Sequence, residues 1–265
     1  MADENVHEYM RMKPAERFSS RVDAYRKYRP DYPQSVIAEI SKQAGLDGSA
    51  IVGDFGSGSG IFTRLLLQAG FEVYAVEPNR EMRKAAELAL AQEPGFISVA
   101  ASAEDSGLEP ASLDLITVAQ AFHWFNNDTA QQEFRRVLKA GGRLALIWNR
   151  RKVSQPFQQT YDAILQEFAP EYGKVNHMNL KMEDIQGFFA TNSMQRFVFD
   201  NSQHLDFAGL IGRLKSSSYC PEEKSPQYIP LATELLSLFD QYAIDGAIEF
   251  EYDTELYIGQ ISPAP

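Results

Sequence analysis

Residues 52–60 have the sequence VGDFGSGSG, with glycine at alternate positions towards the end. The apolar run at 50–55 predicts a short buried strand, and the pattern at 61–69 predicts a helix that ends at Gly70. Glycine lets the backbone turn sharply and lets a ligand approach without a Cβ clash, while a helix N-terminus offers unpaired N–H groups. This strand–loop–helix unit therefore predicts a ligand site at the carboxyl end of the first strand.

Several features of the loop argue against a phosphate-bearing ligand. Position 61 is isoleucine where the dinucleotide pattern requires glycine, and no Gly-Lys-Ser/Thr follows as in a P-loop. Asp54 would repel phosphate and favour an ammonium group. Glu77 ends the second predicted strand, 17 residues after Gly60, where a carboxylate accepts both ribose hydroxyl hydrogens. Together these acids predict a nucleoside with an amino-acid tail and no phosphate, which fits S-adenosylmethionine.

Strand and helix signals alternate on both sides of this unit. Further strands are predicted at 71–76, 96–100, 113–119 and 143–148. Further helices are predicted from Pro33 to Gly45, from Asn79 to about Ala91, and from Asp128 to Gly141. Strands that alternate with helices of this length indicate parallel strands and right-handed crossovers. The sequence therefore predicts an α/β fold with a doubly wound, mostly parallel sheet.

The pattern changes after residue 150. A helix is predicted at 156–168, strands at 195–199 and 248–258, and two helices between those strands at about 207–215 and 231–242. We interpret the chain as an N-terminal helical arm (1–45), a ligand-binding core (46–150) and a C-terminal part (151–265). That last part returns to the sheet and carries a helical cap, inserted at about 202–246 before the final strand.

Composition excludes several classes of protein. The net charge of −11 disfavours a nucleic-acid partner, and the single cysteine, Cys220, cannot form an intrachain disulfide, which fits a reducing compartment. No apolar stretch approaches the ~20 residues of a membrane span, and the N-terminus lacks the apolar run of a signal peptide. The histidines show no metal-ligand spacing, so no metal is expected. We expect a cytoplasmic monomer or homodimer without a membrane partner.

A family resemblance is carried by several stretches: AYRKYRPDYP, VGDFGSGSGIFT, VYAVEPN, SAED, LDLITVAQAFHWF, LKAGGRLALIWNRR and EYDTELYIGQ. In these stretches the chain resembles the class I S-adenosylmethionine-dependent methyltransferases with a type 11 domain. It looks most like their small-molecule branch that includes trans-aconitate methyltransferase. The likeness covers about residues 17–150 and is weak from 151 to 246. It implies a seven-stranded sheet with an antiparallel last strand, and methyl transfer to a small acceptor.

The resemblance also implies which residues contact the cofactor, S-adenosyl-L-methionine. The implied contacts are, for the amino-acid moiety, Asp54, Gly56, Ser57, Gly58 and Gly60; for the ribose, Glu77 with Pro78 and Asn79; for the adenine, Ser102, Ala103 and Glu104; and for the methionine portion, Gln120 and Ala121.

Four further residues are candidates for catalysis. His123 and Trp124 follow the fourth strand at the ligand-binding end. His123 could act as a base or orient the acceptor, and Trp124 could wall the methyl pocket, although loop packing explains both equally well. Tyr25 and Arg29 lie on the arm, where we favour a lid in which Arg29 pairs with a carboxylate.

Other polar residues are interpreted more conservatively. Arg150 and Arg151 end the fifth strand, where they could face the site, but a basic loop is the default interpretation. Arg213, Lys215 and Tyr219 belong to the presumed cap. They could recognise substrate charge, but a solvated helix is the expectation we prefer.

Three functions fit these observations. The first is methylation of a small-molecule acceptor at a carboxylate, which needs no base at neutral pH. The second is O- or N-methylation of a natural-product-like acceptor, for which His123 would remove a proton. The third is a protein that binds S-adenosylmethionine without catalysis. An oxidoreductase is less favoured because of Ile61.

Overall fold

The computed structural model describes residues 21–125, 128–175 and 182–262. Its strands are β1 (Ile51–Phe55), β2 (Glu72–Val76), β3 (Phe96–Val99), β4 (Leu113–Ala119), β5 (Leu138–Arg151), β6 (Gln195–Leu205) and β7 (Ile248–Gly259). Its α-helices are α1 (Val22–Tyr28), α2 (Gln34–Ala44), α3 (Ile61–Gln68), α4 (Arg80–Leu90), α5 (Asp128–Val137), α6 (Pro156–Phe168), α7 (Tyr172–Val175), α8 (Met182–Gln186), α9 (Phe207–Lys215) and α10 (Tyr228–Tyr242). The predicted arm before residue 21 lies outside the described residues.

All strands of the described residues form one sheet, in the order β3-β2-β1-β4-β5-β7-β6. The strands from β1 to β5 pair in parallel, whereas β7 runs antiparallel to both β5 and β6. This confirms the predicted α/β fold with a mostly parallel seven-stranded sheet and an antiparallel last strand. The strand order reverses between β1 and β4, so a crevice opens at their carboxyl ends.

Apolar side chains cover both faces of the sheet. Phe55 and Trp148 belong to the core on one face, and Val52 and Ile147 belong to the core on the other. All four are at most 1% exposed, and burying side chains of this size contributes roughly 1.5–3 kcal/mol each. The sheet is therefore a rigid platform for residues at its edge.

The junction between α5 and β5 differs from the prediction. The helix ends at Val137, ahead of the predicted end at Gly141. Leu138 already pairs with Leu113 of β4, so the backbone joins the sheet directly after the helix. A Cβ on Gly142 would lie 3.0 Å from the carbonyl oxygen of Lys139, which explains the glycine there.

The cap is shorter than predicted. The ladder between β6 and β7 extends as far as Leu205, so residues 202–205 belong to the sheet and not to the cap. The cap consists of α9 and α10, which lie between these strands in the chain and pack with α6 around Phe250. The divisions proposed at residues 45 and 150 remain predictions.

Candidate active site

The glycine loop connects β1 to α3 in a conformation that requires glycine. Gly56, Gly58 and Gly60 have φ angles of +69°, +56° and +84°, in the region that residues with a Cβ avoid. A Cβ on Gly56 would lie 2.5 Å from the Cβ of Ala121 at the end of β4. A Cβ on Gly60 would lie 2.8 Å from Leu90 of α4. Gly60 therefore allows helix packing, whereas Gly56 and Gly58 line the crevice.

Glu77 is held against this loop at the end of β2. Its carboxylate accepts hydrogen bonds from the backbone N–H of Gly58 at 2.9 Å and of Asn79 at 2.7 Å. Burial raises the pKa of Glu77, and these two N–H groups oppose that rise. The Asn79 side chain caps α4, as predicted, by accepting from the N–H groups of Glu81 and Met82. These hydrogen bonds fix the glycine loop, the Glu77 carboxylate and the first turn of α4 relative to one another.

Asp54 is 1% exposed and has two hydroxyl partners. Thr63 donates to one carboxylate oxygen at 2.6 Å, and Thr117 donates to the other at 3.0 Å. Burial raises the pKa of Asp54 to about 6; the two hydroxyl groups oppose the rise and Glu77 adds to it. Asp54 has no ion pair within the described residues, so a cationic ligand group would offset the unfavourable free energy of burying it.

A cavity of about 560 Å³ opens at the carboxyl ends of the strands, which is a usual size for a small-molecule site. Most predicted site residues line it: Tyr25, Arg29, Gly56, Gly58, Glu77, Pro78, Asn79, Ser102, Ala103, Glu104, Gln120, Ala121, His123 and Trp124. Asp54 and Ser57 instead line a smaller cavity that shares Gly56 and Gln120 with the large one. Gly60 lines a separate groove beside α3.

Gln120 directly follows β4 in an unusual backbone conformation. Its φ of +60° is in the left-handed region, although it is not glycine. Its side-chain amide donates to the carbonyl oxygen of Asn149 at 3.3 Å. Strain of this kind costs about 1–3 kcal/mol and is concentrated at functional sites, which supports the predicted position of Gln120 beside the cofactor.

The aromatic segment Phe122–Trp124 forms a 3₁₀ helix after β4. Phe122 is fully buried in the core, so it contributes packing. His123 and Trp124 face the cavity with their ring centroids 4.5 Å apart. Burial, with a contribution from Arg29, lowers the pKa of His123 to about 4. The imidazole is therefore neutral and only weakly basic at neutral pH.

The arm is attached to the cap by arginine side chains. Arg29 donates to the carbonyl oxygen of Ser216 at 3.0 Å, and Arg21 donates to that of Cys220 at 2.9 Å. The guanidinium carbon of Arg29 lies 4.9 Å from the centroid of the Tyr25 ring. The ring of Tyr28 occupies the space that a Cβ on Gly212 of α9 would need. Arm and cap therefore cover the cavity together.

Two further arginines, Arg151 and Arg213, line the cavity. The expectation of a solvated helix was wrong for Arg213. Arg213 of the cap is 5% exposed and donates to the Tyr252 hydroxyl and to Ser217, both at 3.0 Å. Arg151 at the end of β5 is 6% exposed and forms an ion pair with Asp162 at 3.0 Å.

The cavity therefore has two ends of opposite charge. We call Arg29, Arg151 and Arg213 the basic end. We call Glu77 and Glu104, together with the neighbouring Asp54, the acidic end.

Sequence reasoning missed or undervalued other lining residues: Met82, Phe125, Arg151, Tyr172, Arg213, Ser218 and Tyr219. One signal was available for Arg151. Successive side chains of a strand point to opposite faces, so Arg150 and Arg151 could not both face one site. Arg150 pairs with Glu255 at 2.8 Å, away from the cavity. No comparable signal existed for Arg213. A basic residue on a helix usually faces solvent, as Lys215 of the same helix does where it pairs with Glu223, and the sequence does not distinguish the two.

The described residues show neither a metal-binding cluster nor a helix suited to crossing a membrane. They contain no group of three or more potential side-chain ligands that could hold a metal ion. None of the helices in residues 21–125, 128–175 and 182–262 is both long and apolar enough to cross a bilayer.

Known proteins share the core that carries the acidic end. Residues 53–146 match the family described as a methyltransferase domain. This stretch is therefore similar to the domains of S-adenosylmethionine-dependent methyltransferases. The residues present fit that cofactor, because Glu77 lines the cavity and Asp54 is a buried acid that has no cationic partner among the residues described.

The methyltransferase domain has relatives in bacteria and fungi. An uncharacterized methyltransferase of Mycobacterium tuberculosis is 39% identical over 134 residues, which are 51% of this chain and 52% of that protein. The chain thus spans about half the length of that relative. An uncharacterized methyltransferase-like protein of Schizosaccharomyces pombe is 28% identical over 254 residues, covering 93% of this chain and 96% of that protein.

A solved structure from Anaeromyxobacter dehalogenans, provisionally named a type II methyltransferase, has the same fold. Its TM-score is 0.64 at 23% sequence identity, and the match covers 89% of this chain and all of that chain.

Proposed function

We propose that the protein transfers a methyl group from S-adenosylmethionine to a carboxylate of a small-molecule acceptor. The observation that carries the proposal is the opposite charge of the two ends of the cavity. Glu77 and Glu104 line one part of it, and Arg29, Arg151 and Arg213 line another. A cationic donor and an anionic acceptor would each meet complementary charge.

The acidic end has groups suited to the cofactor. Glu77 would accept from the ribose hydroxyls while its carboxylate remains oriented by Gly58 and Asn79. Asp54 would act on the ammonium group, directly or through water. When bound, S-adenosylmethionine supplies a sulfonium methyl group whose transfer to a carboxylate oxygen breaks the carbon–sulfur bond, leaves the electron pair on sulfur and gives a methyl ester.

The basic end has positive charge that the described residues do not neutralise. Arg151 pairs with Asp162, but neither Arg29 nor Arg213 forms an ion pair with a carboxylate in the described part of the chain. Buried charge without a partner is unfavourable. A carboxylate acceptor would supply the missing counter-charge, and guanidinium groups can hold it by two parallel hydrogen bonds.

The low basicity of His123 favours a carboxylate over the alternative acceptors. A hydroxyl or ammonium acceptor must lose a proton, and an efficient general base has a pKa near the working pH. The pKa of His123 is about 4, which makes it a poor base at neutral pH. A carboxylate has no proton to remove, so in this proposal His123 orients the acceptor and Trp124 lines the methyl pocket.

The small-molecule branch that includes trans-aconitate methyltransferase, which the sequence motifs predicted, belongs to this proposal, as does the identity of the acceptor. We also propose that the protein acts in the cytoplasm, as a monomer or homodimer, without a nucleic-acid or membrane partner.

The test is a labelling experiment on a metabolite pool. The protein is incubated with S-adenosylmethionine labelled in its methyl group, and labelled products are treated with mild base. A methyl ester releases labelled methanol, whereas an ether or a methylamine does not. Label retained after base, or no labelled product from folded, cofactor-binding protein, would contradict the proposal.

Neighbouring arginines of β5 provide a matched pair of variants for the same assay. Arg151→Gln should raise the KM for the acceptor at least about 30-fold, because truncating a buried charged partner costs roughly 2 kcal/mol or more. Arg150→Gln removes the same charge one residue away, where it pairs with Glu255, and should change that KM by less than about threefold.

A further inference from the structure

The groove that Gly60 lines is a second concave surface, and the proposed function does not use it. Its volume is about 320 Å³, and it shares no lining residue with the active-site cavity. The arm helix α1 forms one wall and α4 forms another, with the glycine loop and the start of α3 between them. Pockets for small molecules begin at about this volume, so the groove is large enough for a second ligand.

Positive charge is concentrated around this groove, although the chain as a whole has a net charge of −11. Arg26 and Lys27 of α1 and Arg64 of α3 line it. Asp23 is the one acid among its described lining residues. Arg64 pairs with Asp31 at 2.6 Å, whereas neither Arg26 nor Lys27 forms an ion pair within residues 21–125, 128–175 and 182–262. An anion in the groove would therefore meet two cations that the described fold leaves uncompensated.

The glycine loop and α3 contribute hydrogen-bond donors to the groove. Ser59 lines it and is 4% exposed, and its hydroxyl group has no hydrogen-bond partner among the described residues. Buried polar groups are normally hydrogen-bonded, so this hydroxyl group indicates that a ligand atom accepts from it. No described side chain caps the start of α3, where Ile61 also lines the groove. A first helical turn leaves backbone N–H groups unpaired and carries partial positive charge, which favours an anion.

These features favour a phosphate group on a small organic molecule. A phosphate monoester has a charge of about −1.5 to −2 at neutral pH and three oxygen atoms that accept hydrogen bonds. Asp54, which disfavours phosphate inside the loop, does not line the groove. Ala89 and Leu90 of α4 add apolar surface to the wall, which suits an organic substituent better than a free phosphate ion.

We propose that this groove binds a small phosphate monoester through Arg26, Lys27 and Ser59, and that the bound monoester strengthens cofactor binding. The ligand would join α1 to the glycine loop. Binding free energies at two coupled sites are reciprocal, so the cofactor would strengthen monoester binding by the same factor. The inference concerns the cofactor and is independent of the proposed acceptor.

The coupling follows from elements that the two sites share. Helix α1 presents Arg26 and Lys27 to the groove, whereas Tyr25 of the same helix and Arg29 directly after it line the active-site cavity. Ser59 follows Gly58, whose backbone N–H donates to Glu77 at 2.9 Å. A ligand that bridges α1 and the loop would therefore hold the arm over the cavity and the loop against Glu77.

The experiment uses phenyl phosphate as the monoester probe and inorganic phosphate as the free ion. In calorimetry of the full chain, phenyl phosphate should bind at least about fivefold more tightly, because its ring contacts the apolar wall. Saturating phenyl phosphate should raise the affinity for S-adenosylhomocysteine at least about fivefold. Inorganic phosphate that binds as tightly as phenyl phosphate would contradict a monoester ligand.

Variants separate the groove from the rest of the surface. The double variant Arg26→Gln/Lys27→Gln should bind phenyl phosphate at least about tenfold more weakly, because hydrogen bonds to charged groups are the strong ones. It should also lose the effect of phenyl phosphate on S-adenosylhomocysteine. Ser59→Ala should weaken phenyl phosphate binding at least about threefold. Lys84→Gln removes a half-exposed lysine of α4 outside the groove, and Arg213→Gln removes a cation of the basic end; both should bind phenyl phosphate like the wild type.

Several outcomes would overturn the inference. They are no binding of phenyl phosphate to the wild type at millimolar concentration, wild-type phenyl phosphate affinity in the double variant or in Ser59→Ala, and a rise in S-adenosylhomocysteine affinity that persists in the double variant. Loss of phenyl phosphate binding in Arg213→Gln would place the phosphate at the basic end and would also overturn it. The proposed function fails separately, if the labelled product resists base.

Discussion

The acidic and basic ends of the cavity are built in different ways. The acidic end comes from Asp54 near the end of β1, Glu77 directly after β2, and Glu104 in the loop that follows β3. The basic end comes from Arg29 on the arm, Arg151 on β5 and Arg213 on the cap, which meet only in the folded chain. The cofactor half of the site is therefore encoded locally, as strand, turn and helix. The acceptor half is assembled by tertiary structure, so it can change while the sheet stays the same.

The largest effect that distinguishes the two ends is expected at Glu77. Glu77→Gln should weaken S-adenosylhomocysteine binding by about 100-fold or more, because hydrogen bonds to a charged group contribute roughly 1.5–3 kcal/mol each and the ribose would form two. Binding of malonate, a dicarboxylate used as a probe for the basic end, should change little. Glu72→Gln alters an exposed acid at the opposite end of the same strand and should leave both affinities unchanged in calorimetry. If Glu77→Gln bound S-adenosylhomocysteine as tightly as the wild type, Glu77 would not be a cofactor-binding residue.

An effect of intermediate size is expected at Asp54, on the stability of the ligand-free protein. The folded-state pKa of about 6 is above the ordinary 3.8, so the folded protein binds more protons than the unfolded chain between these values. Its free energy of unfolding should therefore fall as pH rises through this window, by up to roughly 3 kcal/mol for a shift of about two units. Asp54→Asn should abolish that fall and be more stable than wild type at pH 7.5.

Urea unfolding from pH 3.5 to pH 8 measures this difference. The gain in Asp54→Asn should vanish below about pH 4, where both proteins carry a neutral group. Asp47→Asn changes an exposed acid ahead of β1 and should not reproduce the gain. A variant that is less stable than wild type at pH 7.5, with the same dependence on pH, would show that the Asp54 carboxylate is not destabilising.

The smallest effect is expected at His123, which lies between the two ends. His123→Gln keeps a polar side chain but cannot accept a proton as imidazole does. With a carboxylate acceptor, kcat/KM should fall by less than about tenfold, and its pH profile should keep the same shape from pH 6 to pH 8, because the pKa of His123 is about 4. If the wild-type kcat/KM rose with pH near neutrality and the variant lacked that rise, the acceptor would instead need a base.

The contrast between the ends also explains what could be predicted from the sequence. The loop glycines, Asp54 and Glu77 were predictable because backbone turns, helix starts and strand ends have local signals. The mostly parallel sheet followed from the alternation of strands and helices, and its seven strands with an antiparallel last strand followed from the family resemblance. Gly60 was assigned to the cofactor from its motif, but in the fold it allows α3 to approach α4.

The basic end could not be predicted in the same way. Arg213 is a charged residue on a helix, a pattern that usually indicates a solvated face, and only the packing of α9 against the arm and β7 buries it. The end of β6 was also missed, because residues 200–204 (DNSQH) are all polar and resemble a loop. Both depend on contacts between residues far apart in the chain, which local patterns do not encode.

The most direct test of this two-ended site is a titration of Arg213→Gln with malonate and, separately, with S-adenosylhomocysteine. Malonate affinity should fall at least about 30-fold, while cofactor affinity should stay within about threefold of wild type. Lys215→Gln on the same helix, whose charge pairs with Glu223 at the surface, should change neither. Malonate that binds Arg213→Gln as tightly as wild type, or a folded variant that loses both ligands together, would contradict the account.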